Sequence, residues 1–211
     1  MTVRSAPLVA GLGPRALANR QRILAVAGEE LLRDPAASME DIATAAGMVR
    51  RTLYGHFPTR EALIGGLLDQ AFEEVDRALD AIDMRRAPAR AVADMTIALW
   101  AVGDEFRLLL RLDETQSCVR TADRLGPVRR VVVTLIERGQ ADGSFHGDLP
   151  PVAVARVLTA MVLALLNARN DGEWVAADAA EVAGRTCLIS VGVDRDLAAD
   201  IARTAAADAS S

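Results

Sequence analysis

Ser38–Phe57 reads SMEDIATAAGMVRRTLYGHF. Its punctuation predicts two short helices joined by a tight turn. Ser38 is placed to cap the first, Met39–Ala46, with Asp41 at the capping-box position. Gly47 suits the left-handed residue that ends that helix. The second helix, Val49–His56, cannot continue past Pro58. Ile42, Ala43, Ala46, Val49, Leu53 and Phe57 are the expected core, the last three recurring at i, i+4 and i+8. Ala43 is small enough to let the two helices approach closely. This is the size and punctuation of a helix-turn-helix.

The other face of the second helix then presents Arg50, Arg51, Tyr54 and part of Thr52 to solvent. Those groups suit a DNA groove. Arginine offers two parallel donors to guanine O6 and N7. Threonine meets a thymine methyl or a phosphate, and a tyrosine hydroxyl or an imidazole N–H, as at His56, binds phosphate and fixes register. Thr59 can cap the next long helix, Arg60 to about Ile82. The free N–H groups there form a phosphate seat with Arg60 beside it. Taken by residues alone, a second reading stands: an ordinary polar helix-turn-helix inside an all-α protein, its arginines serving only solubility.

Working outward, strand signals are almost absent and the rest reads as helices separated by Gly and Pro. The first helix is expected over Pro14–Arg33, with Ile23, Ala27 and Leu31 on one face, and Asp34-Pro35 stops it. Further helices are expected over Ala89–Leu112, Gly126 to about Gly139, Val152–Asn170 and Ala176–Val191. The tail after Ala198 reads only as Ala-rich sequence. The fold class is therefore all-α. Residues 1–64 form a three-helix DNA-binding domain (1–13 a loose arm), and 65–211 a helical domain.

The 211 residues are 51% apolar, 25% charged and 3% aromatic, which excludes a disordered or collagen-like chain. A chain this long buries roughly 70% of its unfolded surface and needs no disulfide or metal to fold. The net charge of −5 is unevenly spread: residues 1–60 carry eight Arg against five Asp/Glu, and the remainder carries 16 against 24. That asymmetry points nucleic-acid contact to the N-terminal part. Cys118 and Cys187 form no metal or redox motif, and their scarcity fits a reducing cytoplasm. The longest uncharged apolar run, Val157–Leu166, is half of what a spanning helix needs, so a soluble protein is expected. No metal site or cofactor is expected. The absence of a nucleophile elbow, phosphate-binding glycine pattern or metal-ligand spacing argues against an enzyme.

Ile23–Phe72 resembles the N-terminal domain of the TetR family of bacterial transcriptional regulators. Thr52-Leu53-Tyr54-Gly55-His56-Phe57, followed by Thr59-Arg60-Glu61-Ala62-Leu63, carries most of the likeness, with Ile42-Ala43 and Ala45-Ala46-Gly47 ahead of it. The resemblance implies a homodimer that binds a near-palindromic operator, with the third helix of each subunit in the major groove. It also implies a C-terminal pocket whose small-molecule effector lowers DNA affinity. By position in the motif, DNA contacts fall on Arg50, Arg51, Thr52, Tyr54, His56, Thr59 and Arg60. Ser38 falls where the second helix meets phosphate. The chain departs from the family pattern at Val49, where a small capping residue is common, and at Gly55, where an aromatic or His is common. Gly28 and Glu30 also fit the first helix poorly. Arg51 stands where Gly is frequent, and so is expected to set specificity.

Two sites are expected in the C-terminal domain. The helix from Ala89 has a core stripe of Met95, Leu99, Val102, Phe106 and Leu109, with Trp100, Asp104, Arg107 and Arg111 opposite. Trp100 among those charges can line an effector cavity with Met95, Asp104, Arg107 and Met161, or stand half-buried beside a surface ion pair. Val157–Leu166 is apolar nearly all round, so it is expected to be buried on more than one side. Val157, Met161 and Leu165, with Ala180, Ala183 and Leu188 of the following helix, are expected to pair with their symmetry mates as a dimer interface. A constitutive DNA-binding protein without effector, and a helical enzyme with an incidental helix-turn-helix, are the alternative functions.

Overall fold

The structure, a computed structural model, describes residues 13–105 and 124–209. Arg4, Phe106, Arg107, Leu109, Arg111 and Cys118 lie outside the described residues, as does the side chain of Asp104. Among the described residues there are nine helices and no strand. They are α1 (Pro14–Arg33), α2 (Met39–Ala45), α3 (Arg50–His56), α4 (Arg60–Asp80), α5 (Pro88–Glu105), α6 (Gly126–Ala141), α7 (Pro151–Asn170), α8 (Ala179–Ser190) and α9 (Arg195–Ala209). The chain divides into two compact units, Met1–Asp69 and Gln70–Ser211.

In the N-terminal unit, α1 contributes Ile23, Leu24, Ala27 and Leu31 to the core, in the spacing of one helix face. They share the interior with Ile42, Leu53, Phe57 and Leu63, all at most 1% exposed. The Arg20 guanidinium lies 4.2 Å from the centroid of the Phe57 ring, so this arginine of α1 is spent on packing.

One expected core position fails. Val49 is 70% exposed. It is the N-cap residue of α3, with extended backbone (φ −73°, ψ 145°), so it stands outside the helical phase that relates Leu53 to Phe57. As its side chain dictates, it makes no capping hydrogen bond.

In the C-terminal unit α5 is the central helix. Ala91, Val92 and Ala93 are consecutive and fully buried, which only a helix covered on all sides allows. It packs against α6, α7, α8 and α9. Small residues line these contacts: a Cβ added at Gly184 of α8 would meet Ala202 of α9 at 3.7 Å and Ile97 of α5 at 3.8 Å, so there is room there for little more than an alanine. Helix α9 is the element not anticipated from sequence. Asp194 caps it by accepting from the N–H groups of Asp196 (2.9 Å) and Leu197 (3.2 Å), which hold its carboxyl below the usual range. Its Ala198, Ala202 and Ala205 are buried. Arg90 of α5 pairs with both Asp94 and Asp208, tying α9 to the central helix.

The turn between α6 and α7 is built around Gly139. The Phe145 ring covers that glycine so closely that a Cβ there would lie 2.0 Å from a ring carbon. Phe145 N–H donates to Gly139 O (2.9 Å), and Gln140 Nε2 donates to the carbonyls of His146 (2.8 Å) and Leu149 (2.9 Å). His146 is exposed beside Asp148. Cys187 is 1% exposed, and burial pushes its thiol up to about 11, so it stays protonated at neutral pH.

Candidate nucleic-acid interface

The pairing of α2 with α3 is fixed at both ends of α2. At its start Ser38 Oγ accepts from Asp41 N–H (3.2 Å), while the Asp41 carboxylate accepts from Ser38 Oγ (2.7 Å) and Ser38 N–H (2.9 Å). The Ser38 hydroxyl and backbone N–H hold the Asp41 carboxyl below its ordinary range. At its end Met48 N–H donates to Ala43 O (2.9 Å) and Gly47 N–H to Thr44 O (3.0 Å). This is the Schellman arrangement, and it requires the left-handed φ of +63° that Gly47 adopts.

Turned this way, α3 buries Leu53, with Phe57 just beyond its end, and exposes Arg50, Arg51 and Tyr54, leaving Thr52 and His56 half-buried. Thr59 Oγ1 accepts from Ala62 N–H (3.1 Å), so it caps α4 as the sequence suggested. Glu61 is held below the usual carboxylate range by its own backbone N–H and then by the Thr59 hydroxyl.

Besides Thr59, three of the sequence-derived contact residues already have partners within the chain. The single hydroxyl proton of Ser38 is donated to Asp41. Arg60 donates to Pro35 O (2.6 Å) and to Ala37 O, clamping the α1–α2 loop to the start of α4. Its guanidinium keeps three further N–H groups for other acceptors. Arg50 Nη1 lies 3.2 Å from Glu40 Oε2 of α2, and its guanidinium carbon lies 6.0 Å from the Tyr54 ring centroid. Among the described residues Arg51 has no acidic partner, which leaves its fork open. Arg50, Tyr54, Arg60, Ser38 and Glu40 line one open depression of about 560 Å³. Glu40 is the residue that sequence reasoning missed. Its signal was an unneutralised carboxylate in the first turn of a helix opposite Arg50.

The family model of bacterial regulatory proteins, tetR family, matches residues 23–67, the segment that holds this site. Residues 23–67 are thus a TetR-type N-terminal domain. The helix-turn-helix in that segment is of the kind found in DNA-binding transcription regulators, which favours the DNA-contact reading over a plain polar helix-turn-helix.

Among solved structures, the TetR family protein CprB from S. coelicolor A3(2) is 19% identical with a TM-score of 0.71, over 92% of this chain and 99% of that one. A gamma-butyrolactone receptor (ArpA-like) is 18% identical with a TM-score of 0.69, over 92% and 98%. The TetR-like regulator LfrR from Mycobacterium smegmatis, in complex with proflavine, is 22% identical with a TM-score of 0.65, over 86% and 99%. Identities this low show a shared TetR-type fold. No protein of curated function matches the chain in sequence.

In the C-terminal unit, Trp100 is not half-exposed among charges. It is 4% exposed and meets Trp174 edge to face, centroids 5.7 Å apart, in a cluster with Leu166, Ala179 and Ala183. Met95 is buried in the main core, and Met161 packs on its margin. Of the expected interface residues, Ala183 and Leu188 are fully covered within the chain, Met161, Leu165 and Ala180 are partly covered, and Val157 is 55% exposed. Helix α7 is less enclosed than its composition suggested. Pro151–Arg169 is long and apolar enough to cross a membrane, with a mean hydropathy of 1.8, and 17% of it is buried inside the chain. Among the described residues no cluster of three or more His, Cys, Asp or Glu could hold a metal.

Proposed function

We propose that the protein is a cytoplasmic one-component repressor that binds a near-palindromic operator as a homodimer and is released by a small-molecule effector. The observation that carries the DNA part is the division of α3: Leu53 fully buried behind it, and Arg50, Arg51 and Tyr54 exposed in front. In this reading α3 enters the major groove. Arg51, with its open fork, reads a guanine, and Thr52 meets a base edge or phosphate. Tyr54 and His56 fix register on phosphates, with Thr59 and Arg60 adding contacts at the start of α4. Arg60 does so with the N–H groups left free by its loop clamp. Ser38 sets the start of α2 rather than donating its hydroxyl.

The homodimer rests on α7. Ala153, Val157, Ala160 and Ala164 share one face, and Val157, Ala160 and Ala164 are exposed in the single chain. An apolar helix face on a lone subunit is a cost that a symmetric partner removes. Effector release draws support from solved structures of the same fold: LfrR with proflavine and RolR with resorcinol, both small aromatic molecules. A small, largely apolar organic effector is the class proposed here, with Trp100 and Met161 among the surroundings of its site.

Selection from a random duplex pool tests the operator reading. The wild type is expected to enrich a palindrome whose half-sites lie about one helical turn or more apart. Arg51→Ala is expected to cost about 1–3 kcal/mol on that site and to flatten the motif at one base pair. An unchanged motif at unchanged affinity refutes the role of Arg51. For the dimer, Val157→Arg is a better probe than a change at Leu165, because Leu165 packs against the buried cluster of Trp100, Leu166, Ala179 and Ala183. The variant is expected to stay folded and to become monomeric by light scattering; a dimer of wild-type affinity would exclude this face of α7.

A further inference from the structure

We propose that Glu40 is a specificity-determining positioning residue: its carboxylate selects which edge of the Arg50 guanidinium is offered to DNA. The inference rests on the operator-binding reading above and adds to it a residue outside the recognition helix.

Glu40 and Arg50 sit on different helices, brought together by the Gly47 turn, with Oε2 and Nη1 3.2 Å apart. Their side chains are 60% and 61% exposed, so the pair stands at the solvent face and adds little to folding. Its neighbour Asp41 is committed to the capping box, whereas no capping hydrogen bond employs Glu40. A carboxylate on the rim of a depression whose other charged residues are Arg50 and Arg60 would oppose a phosphate, so its presence there needs a reason.

Arginine supplies one. An unheld guanidinium samples many rotamers and meets phosphates of any sequence equally well, whereas guanine readout needs the planar fork in one plane. Glu40 pairs with Arg50 on its Nη1 side, leaving Nε and Nη2 as the free side-on edge, and the Tyr54 ring centroid lies 6.0 Å from the guanidinium carbon. Ordering before contact favours the one base geometry that edge fits. The carboxylate also offsets one positive charge, so it weakens attraction to arbitrary DNA and reduces the number of counterions released. Arg51, with no acidic partner among the described residues, lacks this restraint. Two adjacent arginines on α3 thereby differ: one is aimed, the other is free.

The test is duplex selection with the wild type, E40Q, R50A and the double variant, with affinity followed against salt on random-sequence DNA. Both sites are exposed, so the variants are expected to melt as the wild type does. E40Q is expected to flatten the motif by about tenfold at the base pair that R50A also flattens. On random DNA it should bind about threefold to tenfold tighter, with a salt slope steeper by about one phosphate. The double variant should be no flatter at that position than R50A alone. Three results overturn the proposal: an E40Q motif identical to the wild type, one flattened at a different position from R50A, or an affinity change uniform across sequences. The last would mean that Glu40 acts only as a surface charge. A wild type that enriches no sequence overturns the operator reading and this proposal together, whereas an enriched wild-type motif unmoved by E40Q overturns this proposal alone.

Discussion

Phe57→Ala is expected to leave the N-terminal unit largely unfolded at physiological temperature and to abolish specific DNA binding. The ring is 1% exposed and carries the Arg20 guanidinium on its face. Removing a buried phenylalanine costs about 3–5 kcal/mol, because the transfer free energy and the cavity left behind both count. A unit below about 70–80 residues rarely draws more than ~3–5 kcal/mol from a single core, so the loss is of the order of the whole. Calorimetry should show the N-terminal transition shifted down by tens of degrees or gone, with helical signal from residues 70–211 retained. A variant that melts with the wild type and binds the operator normally would mean that α3 is not held from behind by this ring.

Gly139→Val is expected to be the most damaging single change in the C-terminal unit. The Cβ of any residue there would lie 2.0 Å from one Phe145 ring carbon and 2.4 Å from another, so the ring must leave. It is now 5% exposed, and its burial is worth about 2–3 kcal/mol, with the disordering of its neighbours added. The neighbours matter because Gly139 O also accepts from Phe145 N–H and from Ser144 Oγ (3.3 Å), and the next residue, Gln140, holds the carbonyls of His146 and Leu149. Urea titration should place the cost at about 3–4 kcal/mol. Gly139→Ala combined with Phe145→Ala should recover part of the loss relative to Gly139→Ala alone, since the second change removes the clash. Wild-type stability for Gly139→Val would show that Phe145 can be turned out without penalty.

The helix-turn-helix was legible because its signals are local. Ser38 and Asp41 are three residues apart, and Gly47 needs only its own φ to end α2, so no tertiary information is required. Val49 misled because it obeys the i, i+4 spacing while standing one residue outside the helix that the spacing describes. Arg60 read as a phosphate ligand from its place at a helix start. Two of its N–H groups also reach the carbonyls of Pro35 and Ala37, 25 and 23 residues away, and no local pattern encodes that approach. Trp100 looked half-exposed because its helical neighbours are charged, but the residue that covers it is Trp174. Helix α9 was lost to composition: Ala198, Ala202 and Ala205 do repeat at helical spacing, yet alanine hardly distinguishes a buried face from an exposed one. The cap at Asp194 was the stronger clue.

The edge-to-face tryptophan pair has a use beyond packing. Trp100 and Trp174 are the chain's two tryptophans, and Tyr54 is its single tyrosine. Both indoles therefore sit in the C-terminal unit and the phenol sits on α3. Excitation at the red edge, where only indole absorbs, reports on the cluster of α5, α7 and α8 without contribution from the DNA-reading helix. The Tyr54 ring responds instead to what α3 touches. Unlabelled protein thus carries one optical channel that belongs to the C-terminal unit alone.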